Sequence, residues 1–166
     1  MIRVDTSISG LELRELGPAD ADCYYQAVDR NRTHLSRYGD YLRERDATPE
    51  SVSAYFTDPP DHNIRLGIWH ARVLIGRVDL NPVDPPRYTI GYWLDSTHCG
   101  HGYASSACAA AIDYARDALG ASAIYARVTH SNSRSIALLH RLGFKRVADF
   151  DNYSRFRLEL VDQPRA

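Results

Sequence analysis

The feature that most constrains how this chain folds lies in residues 90–120, IGYWLDSTHCGHGYASSACAAAIDYARDALG. An alternating, aromatic-rich segment suited to a strand runs into Cys99-Gly100-His101-Gly102, and the chain then continues Ala-rich, without Gly or Pro, until Gly120. This pattern predicts a strand, a glycine turn and a helix. Two glycines one residue apart permit backbone conformations closed to other residues and let the main chain come close to a ligand. The first amides of the helix have no partner within it and lie at the positive end of its dipole, so the turn favours a phosphate or other anion. A P-loop would need Lys and then Ser or Thr after the second glycine, and a dinucleotide fold would need a third glycine earlier in the chain. Neither is present.

The flanking sequence supplies the elements around this centre. Leu11-Glu12-Leu13-Arg14-Glu15-Leu16 alternates as a half-exposed strand and ends at Gly17-Pro18. From Pro18, the residues Ala21, Tyr24, Tyr25 and Val28 recur at helical spacing, and a second short helical piece follows Asn31. Thr48-Pro49 starts another helix, with Thr as cap, Pro in the first turn and Glu50 favourable to the dipole. Residues 64–70 and 73–80 stand too close for anything but a hairpin, and Gly76 marks a bulge or a close backbone approach within it. A strand at residues 123–129, reached from the central strand through a helix, implies a parallel right-handed crossover. A short helix then presents Ile136, Leu139 and Leu142 on one face and closes at Gly143, and residues 153–160 alternate as a last antiparallel strand.

At 166 residues and 44% hydrophobic content, the chain fits one domain, residues 1–166, with a substantial core. Twenty basic and 21 acidic side chains leave no field that would draw it to nucleic acid or to a membrane. The start, MIRVDTSISG, lacks the apolar run of a signal peptide, and no stretch reaches the length of a membrane span, so a cytoplasmic protein is expected. Cys23, Cys99 and Cys108 match no metal spacing and are expected as free thiols, with no metal bound.

The segment TIGYWLDSTHCGHGYASSA resembles the acetyl-CoA-binding core of the GCN5-related N-acetyltransferases (GNAT), particularly their RimJ/RimL-like branch. The signature there is Gln/Arg-x-x-Gly-x-Gly/Ala after a strand that often reads Gly-Tyr-Trp-Leu. Gly91-Tyr92-Trp93-Leu94, Gly100-x-Gly102 and Tyr103-Ala104 carry the likeness, whereas Thr97 stands in place of Gln or Arg and Cys99 where a large or basic residue is common. Asn132-x-x-Ser135 followed by Leu142-Gly143-Phe144 is similar to a second motif of the same family.

The resemblance implies an α/β (mixed α+β) GNAT fold: a twisted, mostly antiparallel sheet of about six to seven strands, a splayed parallel pair at the acetyl-CoA site, and helices on both faces. It implies that pantetheine bonds to the main chain of Trp93, Leu94 and Asp95, and that the pyrophosphate rests on amides of Cys99, Gly100, His101, Gly102, Tyr103 and Ala104, with His98 and His101 as side-chain donors. Asn132 would contact the pantetheine or its sulfur end, and Ser135 would protonate the leaving thiolate. Each residue has a plainer role as well. Trp93 suits a core, Asn132 suits a helix cap with its amide group left free, and Ser135 suits a helix first turn.

The acceptor is expected to be a primary amine, either a protein amino terminus or a small molecule such as an antibiotic or polyamine, with Tyr38, Asp40 and Tyr41 lining its site. Thr89 stands where related sequences often carry a Glu base, which leaves Asp79, Asp40, Tyr125, His140 or a water chain. A non-catalytic acyl-CoA-binding module on the same fold is the alternative. A nucleic-acid binder using Arg30, Arg32, Arg37, Arg43 and Arg45 is opposed by the neutral charge and interspersed acids. The family likeness also implies a homodimer, for which the last strand would offer an edge.

Overall fold

The structure, a computed structural model, describes residues 1–160. In chain order its elements are β1 (Arg3–Asp5), β2 (Leu11–Glu15), α1 (Ala21–Asp29), α2 (Arg32–Ser36), α3 (Leu42–Arg45), α4 (Pro49–Thr57), β3 (Ile64–His70), β4 (Val73–Pro82), β5 (Arg87–Leu94), α5 (Tyr103–Leu119), β6 (Ala123–Thr129), α6 (Ser133–Arg141), β7 (Lys145–Asp149) and β8 (Tyr153–Glu159). The strands form one sheet in the order β1-β2-β3-β4-β5-β6-β8-β7, antiparallel throughout except where β5 meets β6. None of the described helices is long and apolar enough to cross a membrane.

Eight strands exceed the six or seven expected. The two that the alternation pattern does not reveal, β1 and β7, are the short outer strands, and β7 is further disguised by a bulge near Val147. A second correction follows. The last strand, β8, lies between β6 and β7 and offers no edge for a partner.

The sheet is covered on both faces because its strands alternate. Leu11, Leu13, Leu66, Ile68, Val78 and Leu80 face α5, whose Ala107, Ala111 and Ala115 are small enough to let the helix lie close on the sheet. Left-handed glycines bound that helix, Gly102 (φ 78°) at its start and Gly120 (φ 65°) at its end. On the opposite face Tyr24, Val28, Val52 and Phe56 of α1 and α4 cover Leu16, Trp69, Leu74 and Trp93. Thr48 starts α4 through reciprocal bonds: its hydroxyl accepts the Ser51 amide at 3.1 Å and the Ser51 hydroxyl accepts the Thr48 amide at 2.9 Å.

Two departures from regularity shape the centre. The β3–β4 register shifts between Ile68 and Trp69, so that Ile75 is an extra residue and its carbonyl is free to accept the Asp95 amide at 2.6 Å. Gly76 beside it permits the approach of β5: a Cβ there would stand 2.3 Å from the Trp93 carbonyl oxygen. The second departure is the parallel pairing itself, which holds only for Arg87↔Ala123, Tyr88↔Ile124 and Thr89↔Tyr125. Residues 90–94 and 126–129 then diverge, and the β5 edge that faces the gap has no strand partner.

Candidate active site

The chain leaves β5 through a tightly held turn. Asp95, only 2% exposed, accepts from the Thr97 amide at 3.0 Å, the Thr97 hydroxyl at 2.8 Å and the Arg30 Nε at 2.7 Å. Burial alone would raise its pKa, but these bonds to the charged form outweigh burial and hold the carboxyl well below the usual range. The Asn31 side chain accepts the Ser96 amide at 3.0 Å, which fixes the next residue. The loop is thereby aimed before the glycines begin.

Gly100 (φ 85°) and Gly102 (φ 78°) are left-handed, which is why both are glycine although a Cβ at either would meet no neighbour. Their turn presents the first-turn amides of α5, those of Tyr103, Ala104 and Ser105, at the positive end of a helix of 17 residues. The loop histidines brace it. The His101 Nδ1 lies 3.1 Å from the Cys99 carbonyl and 3.3 Å from that of His98, and its ring stacks on Tyr103 with centroids 5.4 Å apart. Tyr103 in turn packs against His70 at 4.8 Å.

Two cavities open from the gap between β5 and β6. One, of about 420 Å³, runs along Trp93 and Leu94 to the glycine loop and the start of α5. The other, of about 680 Å³, opens past Asp40, Thr89, Gly91, Tyr125 and Arg127. Tyr41, Tyr92, Asn132 and Ser135 line both, so these four residues form the boundary that the two cavities share. The Tyr92 hydroxyl lies 2.6 Å from the Ser135 Oγ, the Asn132 side chain accepts the Ser135 amide at 3.2 Å, and the Tyr41 hydroxyl donates to the Tyr92 carbonyl. Burial pushes the Tyr92 hydroxyl pKa up more than the Ser135 bond pulls it down, so it stays protonated at neutral pH. A hydroxyl pair of this kind can pass a proton from one oxygen to the other.

The Acetyltransferase (GNAT) domain family matches residues 10–145. The chain is 35% identical over 156 residues to the uncharacterized N-acetyltransferase p20 of Bacillus licheniformis, covering 92% of this chain and 87% of that protein. It belongs to the GNAT acetyltransferase family. A second relative, the ribosomal-protein-serine acetyltransferase of Escherichia coli (strain K12), is 30% identical over 142 residues, with 81% of this chain and 78% of that protein covered. Among solved structures, the RimL ribosomal L7/L12 α-N-protein acetyltransferase in complex with coenzyme A superposes with a TM-score of 0.83 over 95% of this chain and 98% of its own, at 17% identity. This GNAT chain is accordingly an acetyl-CoA-dependent N-acetyltransferase.

Most residues expected to hold the donor come together. Trp93, Leu94, Cys99, Gly100, Gly102, Tyr103, Ala104 and Asn132 all line the smaller cavity. The Trp93 ring is buried in the core beneath α1, so this residue offers the cavity its main chain. Asp95, His98 and His101 stand outside both cavities. The Asp95 amide and carboxylate are engaged within the protein, and the histidines brace the loop. Of the acceptor candidates, Asp40 lines the larger cavity and accepts the Thr129 hydroxyl at 2.8 Å, Tyr38 lines the donor side, and Tyr41 lies between them.

The base candidates separate as well. His140 packs edge-on against Phe156 at 5.8 Å, outside both cavities, and Thr89 is bonded to the Asn81 side chain at 3.2 Å. Asp79 stands opposite Gly91 in the β4–β5 register, ion-paired to Arg77 at 2.8 Å, and burial raises its pKa despite that partner. Sequence reasoning passed over Tyr92 as a site residue. Strand parity was the available signal, since neighbouring Trp93 faces the α1 core and Tyr92 must therefore face the α5 side.

Proposed function

We propose that this protein transfers the acetyl group of acetyl-CoA directly to the amino terminus of a polypeptide within a ternary complex. The observation that carries this reading is the pair of cavities that meet only at Tyr41, Tyr92, Asn132 and Ser135. A thioester entering from the glycine loop and an amine entering from the Asp40 side meet at that boundary, which replaces a bimolecular encounter by a held geometry. The amine, entering as its neutral form after losing a proton to solvent, attacks the thioester carbonyl carbon with its lone pair and the C–S bond breaks. The thiolate takes a proton from the Ser135 hydroxyl, Tyr92 re-supplies Ser135, and the second proton shed by the nitrogen as the amide forms restores the hydroxyl pair. The amides of the glycine loop and of the α5 first turn would hold the diphosphate, and the β5 main chain that lacks a strand partner, apart from the Tyr92 carbonyl already taken by Tyr41, would hold the pantetheine arm.

No enzyme nucleophile is needed. Cys108 lines the larger cavity, but burial pushes its thiol pKa up to about 12, so it remains protonated and poorly nucleophilic. Asp40 is placed to attract the incoming ammonium group. A polypeptide acceptor is supported by the Escherichia coli relative named for a ribosomal-protein serine, and by the size of the larger cavity.

The test is thiol release from acetyl-CoA with a panel of short peptides, polyamines and aminated antibiotics, alongside a thermal shift with acetyl-CoA alone. At a hundredfold excess over Kd, binding stabilises by about 2.7 kcal/mol, or ~5–10 °C for a chain of this size. Peptides should release thiol faster than small amines. Release with small amines alone, or a thermal shift with no release by any peptide, would overturn the polypeptide reading.

A further inference from the structure

The larger cavity is flanked by two cations that the reaction leaves unexplained. Arg127 on β6 and Arg155 on β8 are paired directly across the two strands, both are exposed, and both line the cavity. Like charges at facing positions of an antiparallel pair repel. Neither guanidinium forms an ion pair with a carboxylate among the described residues. Each instead lies over an aromatic ring, Arg127 at 3.7 Å from the Tyr153 centroid and Arg155 at 5.5 Å from that of Phe150. The two rings stack on each other with centroids 4.6 Å apart and planes inclined at 15°. Both cations are thus propped in place by an aromatic pair and, among the described residues, left without a counter-ion, a geometry that presents charge to something outside the chain.

The neighbouring row shows the contrast. Arg157 faces Tyr125 one step along β8, and there Glu159 neutralises it. Only the pair beside the cavity is uncompensated on that stretch of β8. The position is also informative. Tyr125 is the last β6 residue paired with β5, and Arg127 lies two residues further on the same face, ~7 Å beyond the point where the strands part. That distance corresponds to about two residues of an extended peptide.

We propose that Arg127 and Arg155 read acidic side chains just behind the acceptor amine, so that the enzyme selects polypeptides whose first residues after the amino terminus carry Asp or Glu. The inference rests on the polypeptide reading above and narrows it to an acidic amino-terminal segment. Asp40, bonded to Thr129 two residues along β6 from Arg127, attracts the amine, and the two arginines on the neighbouring row receive the carboxylates. A polyamine meets repulsion at the same place. Because the groups are exposed, the preference is moderate and salt-sensitive: about tenfold in kcat/KM at low ionic strength, falling as the Debye length shortens below ~10 Å.

The experiment measures kcat/KM for three peptides that share a first residue and differ only at positions two to four, carrying Asp/Glu, Asn/Gln or Lys. It uses the full chain, Arg127→Glu/Arg155→Glu, and Arg127→Gln/Arg155→Gln. The wild type should rank acidic above neutral above basic, with the spread collapsing in 0.5 M salt. The Glu variant should invert the order and the Gln variant should flatten it. An unchanged ranking in both variants, or a wild type indifferent to peptide charge, overturns the proposal and leaves the polypeptide reading standing. If no peptide is acetylated while a small amine is, the polypeptide reading falls and this inference falls with it.

Discussion

Replacing Ser135 by Ala is the perturbation that bears most directly on the chemistry. It removes the Oγ that lies 2.6 Å from the Tyr92 hydroxyl at the junction of the two cavities. A positioned general acid contributes about 10²–10⁴ in rate. The leaving group here is an alkyl thiolate, whose pKa of ~8.5 makes it stable enough to depart with modest help. The low end therefore applies, about a hundredfold in kcat or ~2.7 kcal/mol of barrier. If Ser135 is refilled by Tyr92, then Tyr92→Phe and the double variant should each lose about as much as the single serine variant. Independent roles would multiply to about 10⁴.

The assay is thiol release at saturating acetyl-CoA and peptide, with the pH held near neutrality. Stability needs its own control, because Ser135→Ala leaves the half-buried Tyr92 hydroxyl short of a partner, at a cost of ~1–3 kcal/mol. That lowers Tm by ~2–12 °C at the size of this chain, so rates are read well below the transition. A kcat within twofold of wild type in Ser135→Ala would remove the proton-delivery role. Multiplicative losses across the cycle would separate Ser135 from Tyr92.

Two further expectations rest on other parts of the structure. Gly76→Ala places a Cβ 2.3 Å from the Trp93 carbonyl oxygen and 3.1 Å from the Leu94 Cα, both main-chain atoms that no rotamer change can move. The loss should reach or exceed the ~1–3 kcal/mol of ordinary overpacking, with acetyl-CoA affinity reduced because the displaced residues line its cavity; an unchanged urea midpoint and Kd would refute the close approach. Asp95→Asn addresses the acid limb of stability. The folded pKa of Asp95 lies below the ordinary carboxylate value, so its charge stabilises the native state above about pH 4, and that contribution fades as pH falls toward the folded value. Urea unfolding at pH 6 and pH 3 should therefore show wild type ahead of the variant at pH 6 and the gap narrowing at pH 3. A gap that widens in acid would contradict the assignment.

The residues lining the smaller cavity were largely legible in the sequence and those of the larger cavity only in part, Asp40 and Tyr41 among them, for a reason rooted in how each is built. Residues 93–104 form one uninterrupted strand, turn and helix start, so the glycines that need a positive φ and the amides they expose sit within one short run. Asp40, Gly91, Arg127 and Tyr153 come from four separate segments and meet only after the sheet forms, each without a local spacing that marks it. The buried Arg77 shows the same limit. Its partners Tyr24 at 2.6 Å, Glu44 at 3.2 Å and Asp79 at 2.8 Å come from α1, α3 and β4, and nothing in the run 73–82 announces that the arginine points inward. Short outer strands were lost for the opposite reason. β1 has three residues, too few for a period of two to declare itself.

The donor loop is set by residues far from it in sequence, and Arg30 is the link. Standing at the end of α1, it donates through Nε to Asp95 at 2.7 Å and through its Nη2 to the Leu74 carbonyl at 2.9 Å, next to the bulged Ile75 whose own carbonyl takes the Asp95 amide. The bulge in β4, the turn after β5 and the end of α1 are thus one hydrogen-bonded unit. The same helix end leads through α2 into Tyr38, Asp40 and Tyr41, which border the cavities from the other side. The elements that border the two candidate cavities in this fold therefore share one hydrogen-bonded support.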